Sequence, residues 1–436
     1  MKNVGNPKRD FFSKNGKAAF YDFYAGYSPE FVKNAIRTLK LNANSLIMDP
    51  WNGSGTTTHV AQAMGYNSVG FDINPVMVII AKSKQLKIDI IPSLSMLCKN
   101  ILEKVKQYRK YPLMDYEPLE AWFIPATAAT FRNIERAIQY LLVSNSYSYI
   151  LHGEKVGLIS SLAAFFYVAL FRCLKNVYSH YFSTTNPTWI KRPKFNDEKV
   201  QLESNIVYDL FEKNVKQMIY QLNLSKRGSV SEMDSESCLS IGNSTAIPLD
   251  DNSVDAVITS PPYCTRIDYT IATSLELALL GYDYKEHVKD LRQSTIGSPV
   301  INKKPIELKR EWGKTCLDIL DKIYSHSAKA SKSYYFKTYL QYFSSIYLSL
   351  IEIDRTLLNG GRCILVVQDS YYKEILVNLP IVFTEMMETL DWTLIFKEDY
   401  QCKQSMIGLN TRSNNYRSKT YTTESVLMLY KKAKEI

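Results

Sequence analysis

The chain has 436 residues, and its 46% hydrophobic and 22% charged content is typical of a globular protein with one large core or two ordinary ones. Its 53 Lys and Arg against 43 Asp and Glu give a formal net charge of +10, which favours a polyanionic partner, although many basic proteins never touch nucleic acid. Seven cysteines without a Cys-x-x-Cys pair argue against a zinc module and fit a reducing, cytoplasmic setting. The polar N-terminus lacks an apolar signal core, and the most apolar stretch, 158–174, predicts a buried helix, so no membrane partner is expected.

The first informative segment is the aromatic run from Phe23 to Phe31, which contains Tyr24 and Tyr27. Ser28 followed by Pro29 is an ordinary helix start, because serine caps a helix and proline suits its first turn. The aromatic side chains therefore precede a helix, where they either cap the edge of a core or cover a ligand.

A glycine-rich segment, Asp49–Thr58, lies between a short apolar run and a predicted helix at 59–64, and we call it the glycine turn. Strand, turn and helix in this order form a nucleotide-type cofactor site at the carboxyl edge of a parallel sheet. Glycines let the backbone approach a cofactor or turn through positive φ, and the helix N-terminus suits a carboxylate; a chance turn is the alternative. The candidate cofactor-binding residues here are Asp49, Pro50, Trp51, Asn52, Gly53, Ser54, Gly55, Thr56 and Thr57.

A second predicted strand, 68–72, ends in Asp72 and is followed by Ile73, and both are candidate cofactor contacts. An acidic residue at this distance from the glycine turn accepts hydrogen bonds from two ribose hydroxyls in dinucleotide-binding sheets. The alternative is a helix cap, because Asp72 or Asn74 before Pro75 would start the next predicted helix equally well.

Roughly 150 residues separate the second predicted strand from the third, which is too many for a loop in a compact domain. We therefore predict an inserted, mostly helical domain at 91–235, a candidate for target recognition. It divides the sheet domain into a first part at 1–90 and a second part at 236–436.

A proline-punctuated loop of this insertion carries Trp189, Lys191 and Arg192. Basic groups can hold phosphates and an aromatic ring can stack or wedge, so these residues are candidates for nucleic-acid contact. A solvated loop with one anchoring Trp explains the pattern equally well.

The most informative feature is Ser260-Pro261-Pro262-Tyr263, which follows a strand predicted at 254–259 and which we call the proline corner. Proline fixes its own φ and biases the preceding residue toward extended conformations, so the corner holds Ser260 and the neighbouring carbonyls in one orientation. Tyr263 supplies a flat face on which a planar ring can stack. A plain turn is the alternative. Upstream, Asn243 and Ser244 follow Gly242 at the start of another candidate segment, 242–249.

An excursion from about 265 to 340 follows the corner and is predicted to contact DNA. Its first residues include Arg266, Asp268 and Tyr269, which lie close enough in sequence to line a pocket beside the corner. Two further strands, 363–367 and 424–430, are expected to complete the sheet.

The proline corner resembles the catalytic motif of amino-group DNA methyltransferases, in the form most often linked to cytosine-N4 methylation. The glycine turn resembles the first cofactor motif of that family, and Phe23–Phe31 resembles its N-terminal motif, which folds over the methionine end of the cofactor. The resemblance implies an α/β, Rossmann-like methyltransferase sheet with helices on both faces, and S-adenosylmethionine as cofactor. That cofactor carries a carboxylate and lacks phosphates, in agreement with the absence of a Gly-x-x-x-x-Gly-Lys phosphate loop.

The resemblance also implies roles for individual residues. Tyr24 and Tyr27 would shield the sulfonium and attract it through cation–π contact. Asp72 matches the acidic residue that binds the ribose. Asn243 stands where the family usually has an Asp that binds the adenine amino group, and an amide oxygen can still accept that hydrogen bond.

The implied reaction is in-line methyl transfer to the exocyclic nitrogen of a base flipped out of double-stranded DNA. Ser260 and the Pro261 carbonyl would accept the two amino hydrogens, and Tyr263 would stack on the base. The chain has no Pro-Cys dipeptide, which cytosine-C5 methylation uses for its nucleophile, and neither a covalent intermediate nor a metal is implied.

Ser260 favours cytosine N4, because the adenine-N6 enzymes usually carry Asp or Asn at that place. Adenine-N6 methylation of DNA, amino methylation of RNA, and a catalytically silent nucleic-acid-binding protein are the alternatives. A cognate restriction endonuclease would be a further partner.

Overall fold

The computed structural model describes residues 4–8, 15–22, 26–108, 116–151, 153–181, 190–226, 235–264, 267–302, 304–402 and 422–433. The strands are β1 (Leu46–Asp49), β2 (Asn67–Asp72), β3 (Ser237–Ile241), β4 (Val254–Thr259), β5 (Leu357–Gln368), β6 (Ser370–Tyr372), β7 (Ile375–Val377), β8 (Trp392–Cys402) and β9 (Thr422–Lys431). The helices are α1 (Pro29–Leu39), α2 (Thr56–Ala63), α3 (Pro75–Ser83), α4 (Ile91–Lys106), α5 (Pro125–Leu142), α6 (Gly153–Leu158), α7 (Ser161–Tyr181), α8 (Ser204–Lys226), α9 (Tyr269–Ala272), α10 (Ser274–Leu279), α11 (His287–Ser294), α12 (Lys314–Ser325), α13 (Phe336–Thr356) and α14 (Leu379–Glu388).

Seven strands form one sheet in the order β3-β2-β1-β4-β5-β9-β8, and β6 with β7 makes a separate two-stranded ribbon. The first five strands of this order are mutually parallel, whereas β9 is antiparallel to both β5 and β8. The chain winds outward from β1 in one direction and from β4 in the other, so the strand order reverses between these two strands. Ligands of such sheets bind in the crevice that opens there, outside the carboxyl ends of the strands.

Helices cover both faces of the sheet, and successive side chains of a strand point to opposite faces. In β4, Ala256 and Ile258 pack with α1 and α2 on one face, whereas Val257 packs with α12 and α13 on the other. The predicted α/β fold with helices on both faces of a mostly parallel sheet is therefore confirmed.

Residues 91–226 contribute α4 to α8, and these helices share a hydrophobic core with α3 and α10. Arg132, which is fully buried, forms ion pairs with Glu117 and Glu135 and donates to the backbone carbonyls of Ala278 and Leu279. This buried cation therefore ties the helical region to the segment that follows the proline corner. The apolar stretch expected to be a buried helix lies in α7, and within the described residues no helix is long and apolar enough to cross a membrane.

Candidate active site

A crevice with about 1050 Å³ of empty space, part of it open to solvent, lies at the carboxyl ends of β1 and β4. It is the place where the reversal of strand order puts a ligand site in a doubly wound sheet. Most of the residues singled out from the sequence line it together: Tyr27, Asp49, Pro50, Trp51, Asn52, Gly53, Ser54, Thr56, Asp72, Ile73, Asn243, Ser244, Ser260, Pro261, Pro262, Tyr263 and Tyr269.

The floor of the crevice is a hydrogen-bond network around Asp49, the last residue of β1. Thr259, the last residue of β4, donates its hydroxyl to Asp49 Oδ1 at 2.5 Å, and Tyr27 donates to Oδ2 at 3.0 Å. Thr57 also bonds Tyr27 and donates to the Ile258 carbonyl at 3.1 Å. Burial raises the pKa of the Asp49 carboxyl, and these hydrogen bonds oppose that rise. The network fixes the glycine turn against the strand that leads into the proline corner.

The glycine turn uses the conformations that only glycine adopts without strain. Gly53 has φ +48° and Gly55 has φ +77°. A Cβ on Gly55 would also lie 2.6 Å from Ala81 Cβ, so a side chain there would push α2 away from α3. The N-cap of α2 is Gly55, which has no side chain to accept from the first amides of this helix.

Asp72, at the end of β2, closes the glycine turn from the other side. Its Oδ2 accepts from the Gly53 amide at 3.0 Å, and its Oδ1 accepts from the Asn74 amide at 2.8 Å. The side chain is half-buried, and enclosure by the crevice walls raises the pKa of this carboxyl to about 7 against the opposing effect of the two amides. The cap of α3 is Asn74, whose side chain accepts from the Val76 amide at 3.0 Å. Each residue thus has its own hydrogen bonds, and Asp72 keeps lone pairs that face the crevice.

Three other predicted cofactor residues differ in whether their polar side-chain atoms have a hydrogen-bond partner within the protein. Trp51 Nε1 is buried and has no hydrogen-bond partner among the described residues. Asn243 accepts from the Thr245 amide at 3.1 Å in a turn. The Ser244 hydroxyl is buried and lies 2.9 Å from the Ser349 hydroxyl of α13. Trp51 is therefore the one of these three residues whose side-chain polar atom has no partner among the described residues.

The proline corner is held by three hydrogen bonds from other elements. Ser260 donates its hydroxyl to the Val366 carbonyl of β5 at 3.0 Å, so its oxygen lone pairs remain as acceptors. Tyr342 of α13 donates to the Pro262 carbonyl at 3.0 Å. The Tyr263 amide donates to the Tyr269 hydroxyl at 3.2 Å. The corner is thus oriented from β5, α13 and α9 as well as by its own prolines.

The sequence did not single out Thr270, Thr295 and Ile296, which also line the crevice. They come from the excursion after the corner, and the hydroxyls of Thr270 and Thr295 lie 3.2 Å apart. No sequence motif marks these residues, because the fold of the excursion alone brings 294–296 back beside the corner. Gly26, Asn74, Met77, Gly242 and Ser294 complete the lining, and the first four lie in or next to motifs that the sequence did mark.

The other predicted site residues lie elsewhere. Gly55 and Thr57 support the turn from behind, and Asp268 is buried, where it accepts from the Ile271 amide and pairs with Arg292 at 2.7 Å. These contacts give Asp268 a structural task rather than a place in the crevice.

The predicted nucleic-acid loop lies in the helical region. The backbone of Lys191 bonds Trp122 and Tyr178, and the Arg192 guanidinium lies 3.6 Å from the centroid of the Tyr284 ring. Neither residue lines the crevice. Tyr24, Trp189 and Arg266 lie outside the described residues.

The sheet order and the crevice define a doubly wound α/β protein with a ligand-sized site at its switch point. The family of N6 and N4 methyltransferases, described as DNA methylase, matches residues 11–83, a span that holds the aromatic run, the glycine turn and Asp72.

Curated relatives extend this similarity beyond the cofactor motifs. Type II methyltransferase M.BsoBI of Geobacillus stearothermophilus is 29% identical over 66% of this chain and 57% of its own length. M.AvaI of Anabaena variabilis is 31% identical over 32% of this chain and 31% of its own. The matches therefore span 57% and 31% of the lengths of these two relatives. Together with the motifs, the matches show that this chain is similar to amino-group DNA methyltransferases in and beyond the cofactor motifs.

Among solved structures, the rRNA methyltransferase aviRa of Streptomyces viridochromogenes aligns with 93% of this chain and 86% of its own. The sequence identity is 9% and the TM-score is 0.27, and a likeness at this level carries no argument.

Proposed function

We propose that the protein is an S-adenosylmethionine-dependent DNA methyltransferase that methylates an exocyclic amino group, with cytosine N4 as the target. The observation that carries the proposal is that the glycine turn and the proline corner share one crevice, joined by the hydrogen bond from Thr259 to Asp49. The similarity to DNA methylases supports the reaction class, and Ser260 supports the choice of cytosine.

The residues of the glycine-turn side suit S-adenosylmethionine. The uncapped N-terminus of α2 offers a positive dipole end to a carboxylate, and the free lone pairs of Asp72 suit the ribose hydroxyls. The Trp51 ring and the Asn243 amide lie along the same wall, and the amide oxygen can accept a further hydrogen bond. When bound, this cofactor supplies a methyl group on a sulfonium.

The corner side suits the target base. Tyr263 presents its ring to the crevice, where an extruded base can stack, and the extrusion costs roughly a few kcal/mol. The Ser260 oxygen and the Pro261 carbonyl accept the two amino hydrogens, which turns the nitrogen lone pair toward the methyl group and stabilises the positive charge that develops. Fixed orientation of both reactants is the main contribution of the protein to the rate.

We further propose double-stranded DNA as the substrate, a cognate endonuclease as a partner in restriction and modification, and a cytoplasmic location. The relatives' description as type II methyltransferases supports the endonuclease, and the net charge of +10 supports a polyanionic substrate. Trp189, Lys191 and Arg192 keep their proposed role in nucleic-acid contact, and the two basic residues do not line the crevice.

A direct test incubates the purified protein with methyl-tritiated cofactor and either duplex DNA or RNA. The proposal expects label in DNA from the wild-type protein and none from Tyr263→Ala. The absence of label in DNA at saturating cofactor would overturn the proposed activity and favour a silent binding protein, and label in RNA alone would change the substrate class.

A further inference from the structure

A stretch of one-sided charge lies beside the proline corner, which it contacts through α13. Between Asp321 and Glu352 the chain has four lysines and no acidic residue. All four are exposed, and among the described residues no carboxylate lies within 4.0 Å of the ammonium groups of Lys329, Lys332 and Lys337. We call Lys329–Lys337 the lysine segment.

The backbone of the lysine segment departs from an ordinary helix. Ala330 has φ +66°, a conformation uncommon for residues other than glycine, and Ser331–Tyr335 is a π-helix that leads directly into α13. π-Helical turns are rare and occur mostly at functional sites. Here the wide turn leaves Lys332 and Tyr335 on the surface, while Ser331 points inward and bonds the hydroxyl of Tyr372.

Two hydrogen bonds join this element to the walls of the crevice. Tyr334 donates to the Pro299 carbonyl at 3.0 Å, just beyond the residues 294–296 that line the crevice. Tyr342, farther along α13, donates to the Pro262 carbonyl of the corner. Since a helix rises 1.5 Å per residue, Lys337 lies only about 7 Å along the helix axis from Tyr342.

Aromatic rings accompany the charges. Tyr324 and Tyr335 are 46% and 37% exposed, and the Lys332 ammonium lies 5.0 Å from the centroid of the Tyr324 ring. Exposed lysines beside tyrosine hydroxyls are typical of surfaces that contact phosphates and sugars, which fix the register of a duplex without reading its sequence.

We propose that the lysine segment binds the phosphate backbone of duplex DNA next to the extruded base and so places that base over the proline corner. The inference rests on the proposed function and adds a substrate-positioning surface to it. Because a phosphate recurs every 3.4 Å along each strand, three lysines on one such element can each meet a phosphate of the same duplex.

The test is the salt dependence of DNA binding, measured by fluorescence anisotropy with a labelled duplex and no methyl transfer. Neutralising a lysine that contacts a phosphate lowers the slope of log Kobs against log salt by about 0.9. We expect Lys329→Gln/Lys332→Gln/Lys337→Gln to lower the slope by about two to three, and the corresponding triple Arg variant to restore it. The affinity for S-adenosylhomocysteine, which is the cofactor after it has lost its methyl group, should be unchanged in both variants when measured by calorimetry.

A matched control removes the same charge from the opposite edge of the sheet. Lys40, Lys87 and Lys432 are exposed and follow the ends of α1, α3 and β9, where the parallel strands begin. Lys40→Gln/Lys87→Gln/Lys432→Gln changes net charge equally, so it should leave the slope near the wild-type value.

Equal slopes for the two triple Gln variants would overturn the inference. It would also be overturned if the lysine-segment variant lowered the slope for an RNA duplex but not for duplex DNA. Both outcomes are distinct from failure of the proposed function, because a protein without methyl transfer would still give a binding slope.

Discussion

Thr259 and Asp49 end neighbouring parallel strands, and the 2.5 Å hydrogen bond between their side chains ties β4 to β1 at the reversal of strand order. Asp49 is also the first residue of the glycine turn, and Thr259 directly precedes the proline corner. The contact therefore fixes the distance between the two halves of the crevice.

Replacing Thr259 by Val should destabilise the protein. Valine has nearly the same shape as threonine but cannot donate a hydrogen bond to the buried carboxyl of Asp49. A hydrogen bond to a charged group contributes about 1.5–3 kcal/mol, so we expect a loss of about 2 kcal/mol in the free energy of unfolding, measured with urea. Cofactor affinity should fall with it. Thr259→Ser keeps the hydroxyl and should stay close to wild type. Equal losses for Val and Ser would contradict the prediction, because the methyl group of Thr259 would then matter as much as its hydroxyl.

Tyr263→Ala should abolish methyl transfer while largely sparing cofactor binding, because residue 263 lines the corner side of the crevice. The hydrogen bond from its backbone amide to the Tyr269 hydroxyl does not depend on the side chain. Calorimetric titration of the cofactor and a tritium-transfer assay measure the two properties separately. Tyr263→Phe keeps the stacking face and should retain most of the activity. Equal loss of binding and transfer in the Ala variant would contradict the stacking role.

Asp72 should make cofactor affinity depend on pH around neutrality. Its pKa is raised to about 7, so the free protein holds the proton below that pH and must release it before the carboxylate accepts the ribose hydroxyls. Affinity should therefore rise as the pH increases through 7, by up to tenfold per unit below it, and level off above.

The control for this prediction is Asp72→Asn, which binds weakly and should lack the dependence, apart from any titration of the ligand itself. Asp72→Ala should weaken cofactor binding more than it weakens α3, whose cap is Asn74. An unchanged affinity in Asp72→Ala would return the residue to a purely structural role.

Tyr342→Phe should lower kcat without changing cofactor affinity, because it removes only the hydroxyl that donates to the Pro262 carbonyl. The loss of one net hydrogen bond of about 1 kcal/mol corresponds to roughly a fivefold fall in rate. Rapid-quench measurement of the first turnover tests this, with Tyr339→Phe as a buried control whose hydroxyl does not bond the corner. Equal effects of the two variants would indicate a general loss of packing.

The sequence predicted the parts of the fold whose signals are local. The strand at Val254–Thr259 and the proline corner were located correctly, because alternating apolar residues and two prolines leave few other conformations. The start of α2 at Thr56 was predicted three residues late, since the threonines that open it are weak helix formers.

Other elements carry little local signal. β3 contains two serines and a cysteine, and the second half of the edge strand β8 carries charged side chains, so neither is apolar along its whole length. The approach of 294–296 to the crevice and the π-helix before α13 depend on tertiary packing, which sequence periodicity does not encode. The boundaries of the inserted domain and the roles of the site residues stay predictions.

The most direct measurement is mass spectrometry of nucleosides from host DNA, with and without the gene. The account predicts N4-methylcytosine that appears only with the intact gene and disappears with Tyr263→Ala. N6-methyladenine would contradict the choice of base, and DNA without any gene-dependent methylated amino group would contradict the claim that one crevice joins methyl donor and extruded base.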